Sequence, residues 1–222
     1  MPRLYVTGVA INGNFLESPQ HVKEIITISD FVIGEDKKNT LRLLAASQSR
    51  GKKYFLLNEH SKFQDKKDLV DCVKKVNSVV LFSDAGTPCV ADPGFDFVDM
   101  CYKNGIEVLS IPGPSSITTA ISVSGFYAEN FCFLGYPPRN DRGRSHFRNK
   151  IRKSKQTLVI FERPYALKNC MVDLRQIDRR LSISFNLGMH NEKTIRGYID
   201  DIEDELEDMP KSPFVIVIEG EK

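Results

Sequence analysis

Short apolar runs bounded by turn-forming residues alternate with amphipathic helical patterns through the first half of the chain, and this alternation restricts the fold most strongly. Between the runs, apolar residues recur at helical spacing, as Phe95, Val98 and Tyr102 do after Pro93-Gly94. The apolar runs are 4–9, 31–34, 54–57, 79–82 and 108–111. Strand–helix alternation of this kind predicts βαβ units and a mainly parallel sheet.

The pattern changes near Phe126, after which predicted strands follow one another more closely. These later strands are predicted at 131–136, 157–161, 181–187, 194–198 and 214–218. Closer spacing favours a mixed sheet. The 222 residues suffice for two modest domains. We therefore predict an α/β fold with two α/β domains, 1–126 and 127–222.

Composition predicts a soluble, cytoplasmic protein. Apolar residues make up 41% of the chain and charged residues 27%, which is ordinary for a globular protein. No run approaches the roughly 20 apolar residues of a membrane span, and Met1 leads directly into a strand-like segment without a signal-peptide pattern. The five cysteines are an odd number without CxxC spacing, so we expect reduced core residues and no metal site.

Residues 83–94, which follow the apolar run 79–82, have the composition of a ligand-binding loop. Gly86 permits a tight turn, Pro88 and Pro93 restrict the backbone, and Asp84 and Asp92 supply acceptors. Ligands of open α/β sheets bind just outside the carboxyl ends of strands. The alternative is an ordinary connection that ends in an Asp-Pro-Gly helix start.

A second loop, 112–116, follows the apolar run 108–111 and reads Pro-Gly-Pro-Ser-Ser. Ser115 and Ser116 offer hydroxyl and amide groups at a helix N-terminus, where negative charge is favoured. Ser115 as a simple helix cap is the alternative. We predict that the two loops border one cleft.

Carboxylates and an imidazole follow two other predicted strands and are candidates for proton abstraction. Glu35-Asp36 ends the second strand, and Glu59-His60 lies at the end of the third. Helix capping and surface polarity are the alternatives. The four residues favoured as catalytic candidates are Asp36, Glu59, His60 and Asp92. The chain has no Walker lysine motif, nucleophile elbow or metal-ligand spacing.

The net charge of +2 conceals a strongly basic segment. Residues 139–155 carry eight Lys or Arg residues against the single acid Asp141. Such a segment is typical of proteins that bind a polyanion such as RNA. A solvated helix face is the alternative.

Four motifs, taken in order, resemble the tetrapyrrole methylase superfamily. They are most similar to its bacterial small-subunit ribosomal RNA methyltransferase I branch, which methylates a cytidine ribose 2′-hydroxyl. The motifs are SDAGTP with DPG at 83–94, PGPSS at 112–116, FLGYPP at 133–138 and FERP at 161–164. The likeness covers nearly the whole chain.

The resemblance implies a class III methyltransferase-like fold, a homodimer, and S-adenosylmethionine (SAM) held in a cleft between the two domains. By position, the turn around Gly86 and the pair Ser115-Ser116 hold the methionine and ribose parts of SAM. Backbone near Glu162 and near Asn186-Leu187 contacts adenosine. The implied cofactor-binding residues are Asp84, Ala85, Gly86, Thr87, Ser115, Ser116, Glu162, Asn186 and Leu187.

Several substrate-side residues depart from the branch pattern, while the cofactor motifs are kept. The first loop, 8–14, lacks the branch's Thr-Pro, and the branch's Glu-Asp-Thr-Arg is replaced by residues 35–38, Glu-Asp-Lys-Lys. These differences favour a divergent paralogue. We expect an RNA methyltransferase; the alternatives are a methyltransferase for a tetrapyrrole or other small molecule, and a SAM-binding protein without catalytic activity.

Overall fold

The computed structural model describes residues Met1–Glu221, and it divides the chain into two compact units, 1–115 and 116 onward. Each unit contains one five-stranded sheet with helices, so the α/β prediction is confirmed. The two units divide one helix before residue 126, and the predicted domain boundary there stays a prediction.

The first unit is built on a parallel sheet with strand order β3-β2-β4-β1-β5. Its strands are β1 (Arg3–Thr7), β2 (Phe31–Gly34), β3 (Tyr54–Leu56), β4 (Ser78–Leu81) and β5 (Glu107–Ile111). Its helices are a 3-10 turn (Phe15–Glu17), α1 (Gln20–Ile28), α2 (Lys37–Ala46), α3 (Phe63–Val73) and α4 (Phe95–Lys103).

Helices cover both faces of this sheet, because its central strands are apolar on both sides. In β4, Val79 and Leu81 pack in one buried cluster with Phe97 of α4, whereas Val80 packs in another with Ile26 of α1. This two-residue alternation with continuous apolar sequence is the signature of a buried parallel strand. The sheet's strand ends are thereby held rigidly, which fixes the loops that follow them.

Two helices begin earlier than their apolar periodicity predicts, because side-chain caps extend them into charged sequence. The apolar periodicity of these two helices begins at Leu41 and Leu69. The Asp36 carboxylate accepts a hydrogen bond from the Asn39 N–H at 3.0 Å and starts α2. The Asp65 carboxylate accepts from the Lys62 N–H at 2.8 Å at the start of α3. Such caps satisfy amide groups that have no intrahelical partner.

The second unit has a mixed sheet, as predicted, and its strand order is β6-β7-β10-β8-β9. Only β6 and β7 pair in parallel; the other neighbours are antiparallel. The strands are β6 (Phe131–Phe133), β7 (Thr157–Glu162), β8 (Leu181–Phe185), β9 (Lys193–Gly197) and β10 (Phe214–Ile218). The helices are α5 (Ser116–Ser124), α6 (Asp141–Lys153), α7 (Leu167–Leu174) and α8 (Ile199–Glu207).

Strand β8 shows why α5 belongs to the second unit. Leu181, Ile183 and Phe185 face the buried cluster formed with α6, α7 and α8. Ser182 and Ser184 alternate with them and are fully buried, and α5 contacts β8 and β10. Small side chains on that face let the helix approach the sheet closely, which places the division before α5.

The five cysteines are free thiols in the described part of the chain. Among residues 1–221, no helix has both the length and the apolarity needed to span a bilayer. The same residues include no cluster of three or more His, Cys, Asp or Glu side chains arranged to hold a metal ion.

Candidate functional site

Three loops meet at the carboxyl edge of the parallel sheet, where β4, β1 and β5 are neighbours. They are the β1 loop (8–14), the β4 loop (82–94) and the β5 loop (112–115). Val9 and Gly86 exchange two backbone hydrogen bonds of 2.9 and 3.2 Å. The Thr87 hydroxyl donates to the Pro114 carbonyl at 3.3 Å. The β4 loop is therefore bonded to both of its neighbours.

Two glycine backbones touch each other where the β1 and β5 loops begin. A Cβ atom on Gly113 would lie 2.1 Å from the Gly8 oxygen and 2.7 Å from its Cα. Gly86 differs: a Cβ there would have ordinary contact at 3.5 Å, but its φ of +73° favours glycine. The close approach of Gly8 and Gly113 was not predicted from sequence.

The β4 loop has an unusual backbone. Cys89 and Ala91 adopt positive φ angles of 68° and 61°, in addition to Gly86 and Gly94. Non-glycine residues in this region cost roughly 1–2 kcal/mol each, and such strain clusters at functional sites. Ala85, at the tip, is exposed, while the buried Ser83 hydroxyl donates to its carbonyl at 3.2 Å. A loop held in this way has a more specific shape than a simple connection requires.

Three carboxyl groups lie at the same edge, and two of them have pKa values raised toward neutrality. Glu35 is half-buried; its burial, with the nearby charges of Asp92 and Asp84, raises its pKa to about 7 although the Asp84 N–H donates to it. Burial likewise raises the pKa of Asp92 to about 6, against the lowering effect of a hydrogen bond with Ser83. Both groups therefore exchange a proton in the range where a general base operates.

The four catalytic candidates occupy different environments. Asp92 lies in the carboxyl cluster. Asp36 is exposed, its carboxylate caps α2, and its N–H donates to the Asp84 carboxylate at 3.3 Å. Glu59 and His60 have side chains 81% and 84% exposed and lie 3.6 Å apart. The structure thus brings Asp92, but not the side chains of the other three candidates, into a partly buried setting.

Glu35, next to the catalytic candidate Asp36, has the more buried carboxyl group of the two. Continuing the alternation of β2 places Glu35 on the face of Phe31 and Ile33, which is buried against α3 and α4. Asp36 falls on the other side and starts a helix. The two-residue period of the preceding strand was the signal that could have separated them.

Glu162, predicted near the adenosine, is a buried acceptor in an ionic network of the second unit. Its carboxylate accepts from the Arg163 backbone at 2.9 Å and lies 3.2 Å from the Arg163 guanidinium and 3.5 Å from that of Arg144. Asp173 of α7 accepts from Arg144 Nε at 2.8 Å and from Arg148 Nη1 at 2.7 Å. Two basic residues of the 139–155 segment, Arg144 and Arg148, are thus partly buried and paired with Asp173. Helix α6 therefore has an inward and an outward face.

Asn186 and Leu187, also predicted near the adenosine, form a buried turn after β8. Asn186 has a φ of +52°, which asparagine tolerates better than most residues, and its N–H donates to the Pro213 carbonyl at 2.9 Å. Ser115 is half-buried in the β5 loop, and Ser116 begins α5. These contacts fix the backbone at the predicted positions.

The replacement Asp173→Asn is expected to lower the free energy of unfolding by about 2–4 kcal/mol, because it leaves the partly buried Arg148 guanidinium without a carboxylate and leaves Arg144 with only that of Glu162 at 3.5 Å. The Arg144 and Asp173 side chains are only 14% and 11% exposed. Urea denaturation measures the change. Asp178→Asn, at an exposed position, is the control and should change stability by less than about 0.5 kcal/mol. Equal stability of both variants would contradict the network's role.

Comparison with known proteins adds a family-level similarity. The profile of the family described as Tetrapyrrole (Corrin/Porphyrin) Methylases matches residues 19–203. A Thermotoga maritima protein named Ribosomal RNA small subunit methyltransferase I is 30% identical over 226 residues, covering 100% of both chains. Proteins of the same name from Leptospira borgpetersenii and Mycobacterium tuberculosis are 32% and 33% identical; they cover 95% and 88% of this chain and 85% and 70% of their own.

Solved structures share the fold. Uroporphyrin-III-C-methyltransferase from Thermus thermophilus matches with a TM-score of 0.60 at 16% identity, over 99% of this chain and 94% of that chain. A second structure of that enzyme, in its native form, gives 0.63 at 15% identity over 98% and 97%. At such identities the similarity concerns the fold alone.

Proposed function

The chain belongs to the tetrapyrrole (corrin/porphyrin) methylase family, and from this premise we propose that it transfers a methyl group from SAM to a ribose 2′-hydroxyl of RNA. The observation that carries the proposal is the similarity, over the whole of both chains, to a relative named Ribosomal RNA small subunit methyltransferase I. The chain is accordingly a methyltransferase. The joined loops of the first unit supply a place for its methyl donor.

The carboxyl edge of the first sheet suits SAM in shape and in charge. The contact between Gly8 and Gly113 and the Val9–Gly86 bridge fix a backbone surface that side chains would obstruct. The Asp84 and Asp92 carboxylates suit a ligand that carries a sulfonium and an ammonium group. We assign residues 84–87 and the pair 115–116 to the methionine and ribose parts, and Glu162, Asn186 and Leu187 to the adenosine.

SAM supplies a methyl group already activated on a sulfonium, which an oxygen nucleophile displaces in line. The chain must orient the two reactants, and orientation is the main source of such rate enhancement. It must also take the proton of the ribose hydroxyl, which is a poor nucleophile when protonated. Among the carboxyl groups, we assign this role to Glu35, assisted by Asp92, because both are half-buried and titrate near neutral pH.

The outward face of α6 is the proposed RNA-binding surface. Arg142, Lys150 and Lys153 are exposed on it, and Arg139 precedes the helix. Arg144 and Arg148 do not contribute, since they pair with Asp173. Phosphate contacts from exposed basic side chains give sequence-independent affinity that falls with salt.

Replacing Arg142, Lys150 and Lys153 together by glutamine should weaken RNA binding by about 10-fold or more at low salt. The slope of log affinity against log salt should fall by about two, as expected for three lost contacts to a single strand. Filter binding across a salt series measures both. Lys67, Lys74 and Lys103, exposed in the first unit, provide a charge-matched triple control. An equal loss in both triples would contradict a specific role for α6.

The function itself is tested by offering the protein SAM labelled in its methyl group together with fractionated RNA, protein and small molecules. We expect label in ribosomal RNA of the small subunit, removable by ribonuclease. Resistance of the labelled linkage to alkaline cleavage would identify the 2′-oxygen. Label confined to a small molecule, with no salt dependence, would contradict the RNA assignment, and SAM binding without transfer to any fraction would contradict catalysis.

The homodimer implied by the family resemblance is part of the same proposal. A dimer would have twice the 25.2 kDa mass of the chain. Multi-angle light scattering of the purified protein measures this mass, and a single-chain mass at micromolar concentration would contradict the dimer.

A further inference from the structure

The segment between β6 and α6 carries an exposed aromatic ring. This ring lies beside an arginine that directly follows β7. Tyr136 is 46% exposed, and the Arg163 guanidinium carbon lies 5.3 Å from the centre of its ring. Phe161 supports the ring at 5.6 Å, and Phe161 in turn packs edge-on against Phe133 at 4.7 Å. The ring is thus partly accessible and packed against an aromatic cluster of the sheet.

The arginine is held in place by partners that leave it little freedom. Arg163 Nη1 donates to the Pro137 carbonyl at 3.3 Å and to the Glu162 carboxylate at 3.2 Å. Glu162 is itself fixed by Arg144 of α6. A guanidinium fixed in this way keeps its plane beside the ring and loses little conformational entropy when a ligand stacks on it.

A short, well-packed loop connects this pair to the basic face of α6. The Asn140 side chain caps the helix by accepting from the Gly143 N–H at 2.7 Å. A Cβ atom on Gly143 would lie 2.5 Å from that of Pro138, so the loop is folded onto the first turn of α6. Arg139 and Arg142, both exposed, occupy this loop and turn. Exposed positive charge therefore extends from the Tyr136–Arg163 pair to the first turn of α6.

We propose that Tyr136 and Arg163 form a stacking site for one unpaired base of an RNA whose phosphates lie along the basic face of α6. Proteins bind single-stranded RNA by this combination of aromatic or guanidinium planes with basic residues. The inference rests on the proposed function and adds to it that the substrate is unpaired where it meets this pair. An acidic peptide could pair with the basic residues of α6 but has no base to stack on the Tyr136 ring.

The test compares Tyr136→Leu with the wild type, using a fluorescein-labelled 12-nucleotide single-stranded RNA of mixed sequence and fluorescence anisotropy. Loss of one stacked base should weaken binding by about 5- to 100-fold, and Tyr136→Phe should bind within about twofold of the wild type. The salt slope should stay unchanged, because no phosphate contact is removed. A duplex of the same sequence should bind the wild type and Tyr136→Leu with equal affinity.

Tyr198→Leu is the matched control, because Tyr198 is 47% exposed in the same unit. This variant should bind RNA like the wild type. Arg163→Lys, which keeps the charge but loses the planar group, should also weaken single-strand binding, and it keeps the test decisive if Tyr136→Leu fails to fold. Wild-type affinity in Tyr136→Leu and Arg163→Lys would overturn the stacking site while leaving the RNA proposal intact. Failure of the wild type to bind either RNA would overturn both.

Discussion

Replacing Gly113 by alanine is expected to abolish SAM binding, weakening it by about 100-fold or more. The new methyl group would lie 2.1 Å from the Gly8 oxygen, which is a backbone atom and cannot move aside as the end of a flexible side chain could. The β1 and β5 loops would have to separate, which would disturb the Val9–Gly86 bridge that joins the β1 loop to the β4 loop. Isothermal titration calorimetry with SAM measures the loss.

Gly105→Ala is the control for this prediction. Gly105 has a glycine-favoured φ of +71°, but a Cβ there would meet nothing within 4 Å. The replacement should cost about 1 kcal/mol of stability and leave SAM affinity unchanged. If Gly113→Ala bound SAM as tightly as the wild type, the assignment of these loops to the methyl donor would be wrong.

Replacing Glu35 by glutamine should lower kcat for methyl transfer by about 100-fold or more, the usual contribution of a positioned general base, with little change in the Kd for SAM. The wild-type rate should rise between about pH 6 and 8, since the base must lose its proton and the pKa of Glu35 is about 7. This rise should be lost in the variant. Single-turnover rates across the pH series test both statements.

The same substitution should stabilise the folded protein at high pH. Because the pKa of Glu35 is raised from 4.5 to about 7, the folded state binds its proton more tightly than the unfolded state. Stability is therefore full below pH 4.5 and falls as the pH rises through 7. With solvent screening, Glu35→Gln should gain about 1–3 kcal/mol at pH 8 and almost nothing at pH 4.

Exposed Glu24→Gln is the matched control for Glu35, and neither its rate nor its stability profile should change. A normal kcat in Glu35→Gln would show that another group takes the proton of the ribose hydroxyl, and Asp92 would be the next candidate. A normal kcat combined with the predicted gain in stability would show that the carboxyl is buried but not catalytic.

Much of the fold could be predicted because local signals agree with tertiary packing. Strand β2 lies at its predicted position, since four consecutive buried residues end at Gly34. Helix starts were harder, because capping by Asp36 and Asp65 depends on single hydrogen bonds rather than on periodicity. The mixed sheet of the second unit followed from short strand spacing, whereas its strand order did not.

The candidate site was predicted only in part, for a different reason. The β4 and β5 loops were identified from their composition, but the contact of Gly8 with Gly113 depends on β1 and β5 being neighbours in the sheet. Arg144 and Arg148 read as surface charge in sequence, since their partner Asp173 lies on another helix. Long-range pairing of this kind leaves no local pattern in the chain.

The central claim is that SAM is held by the β1, β4 and β5 loops, and a crystal structure with S-adenosylhomocysteine tests it most directly. The account predicts ligand density against residues 84–87 and the pair 115–116. Density found only elsewhere would contradict it. The groove of about 500 Å³ lined by Arg175, Asp178, Tyr198 and Asp201 is one such place.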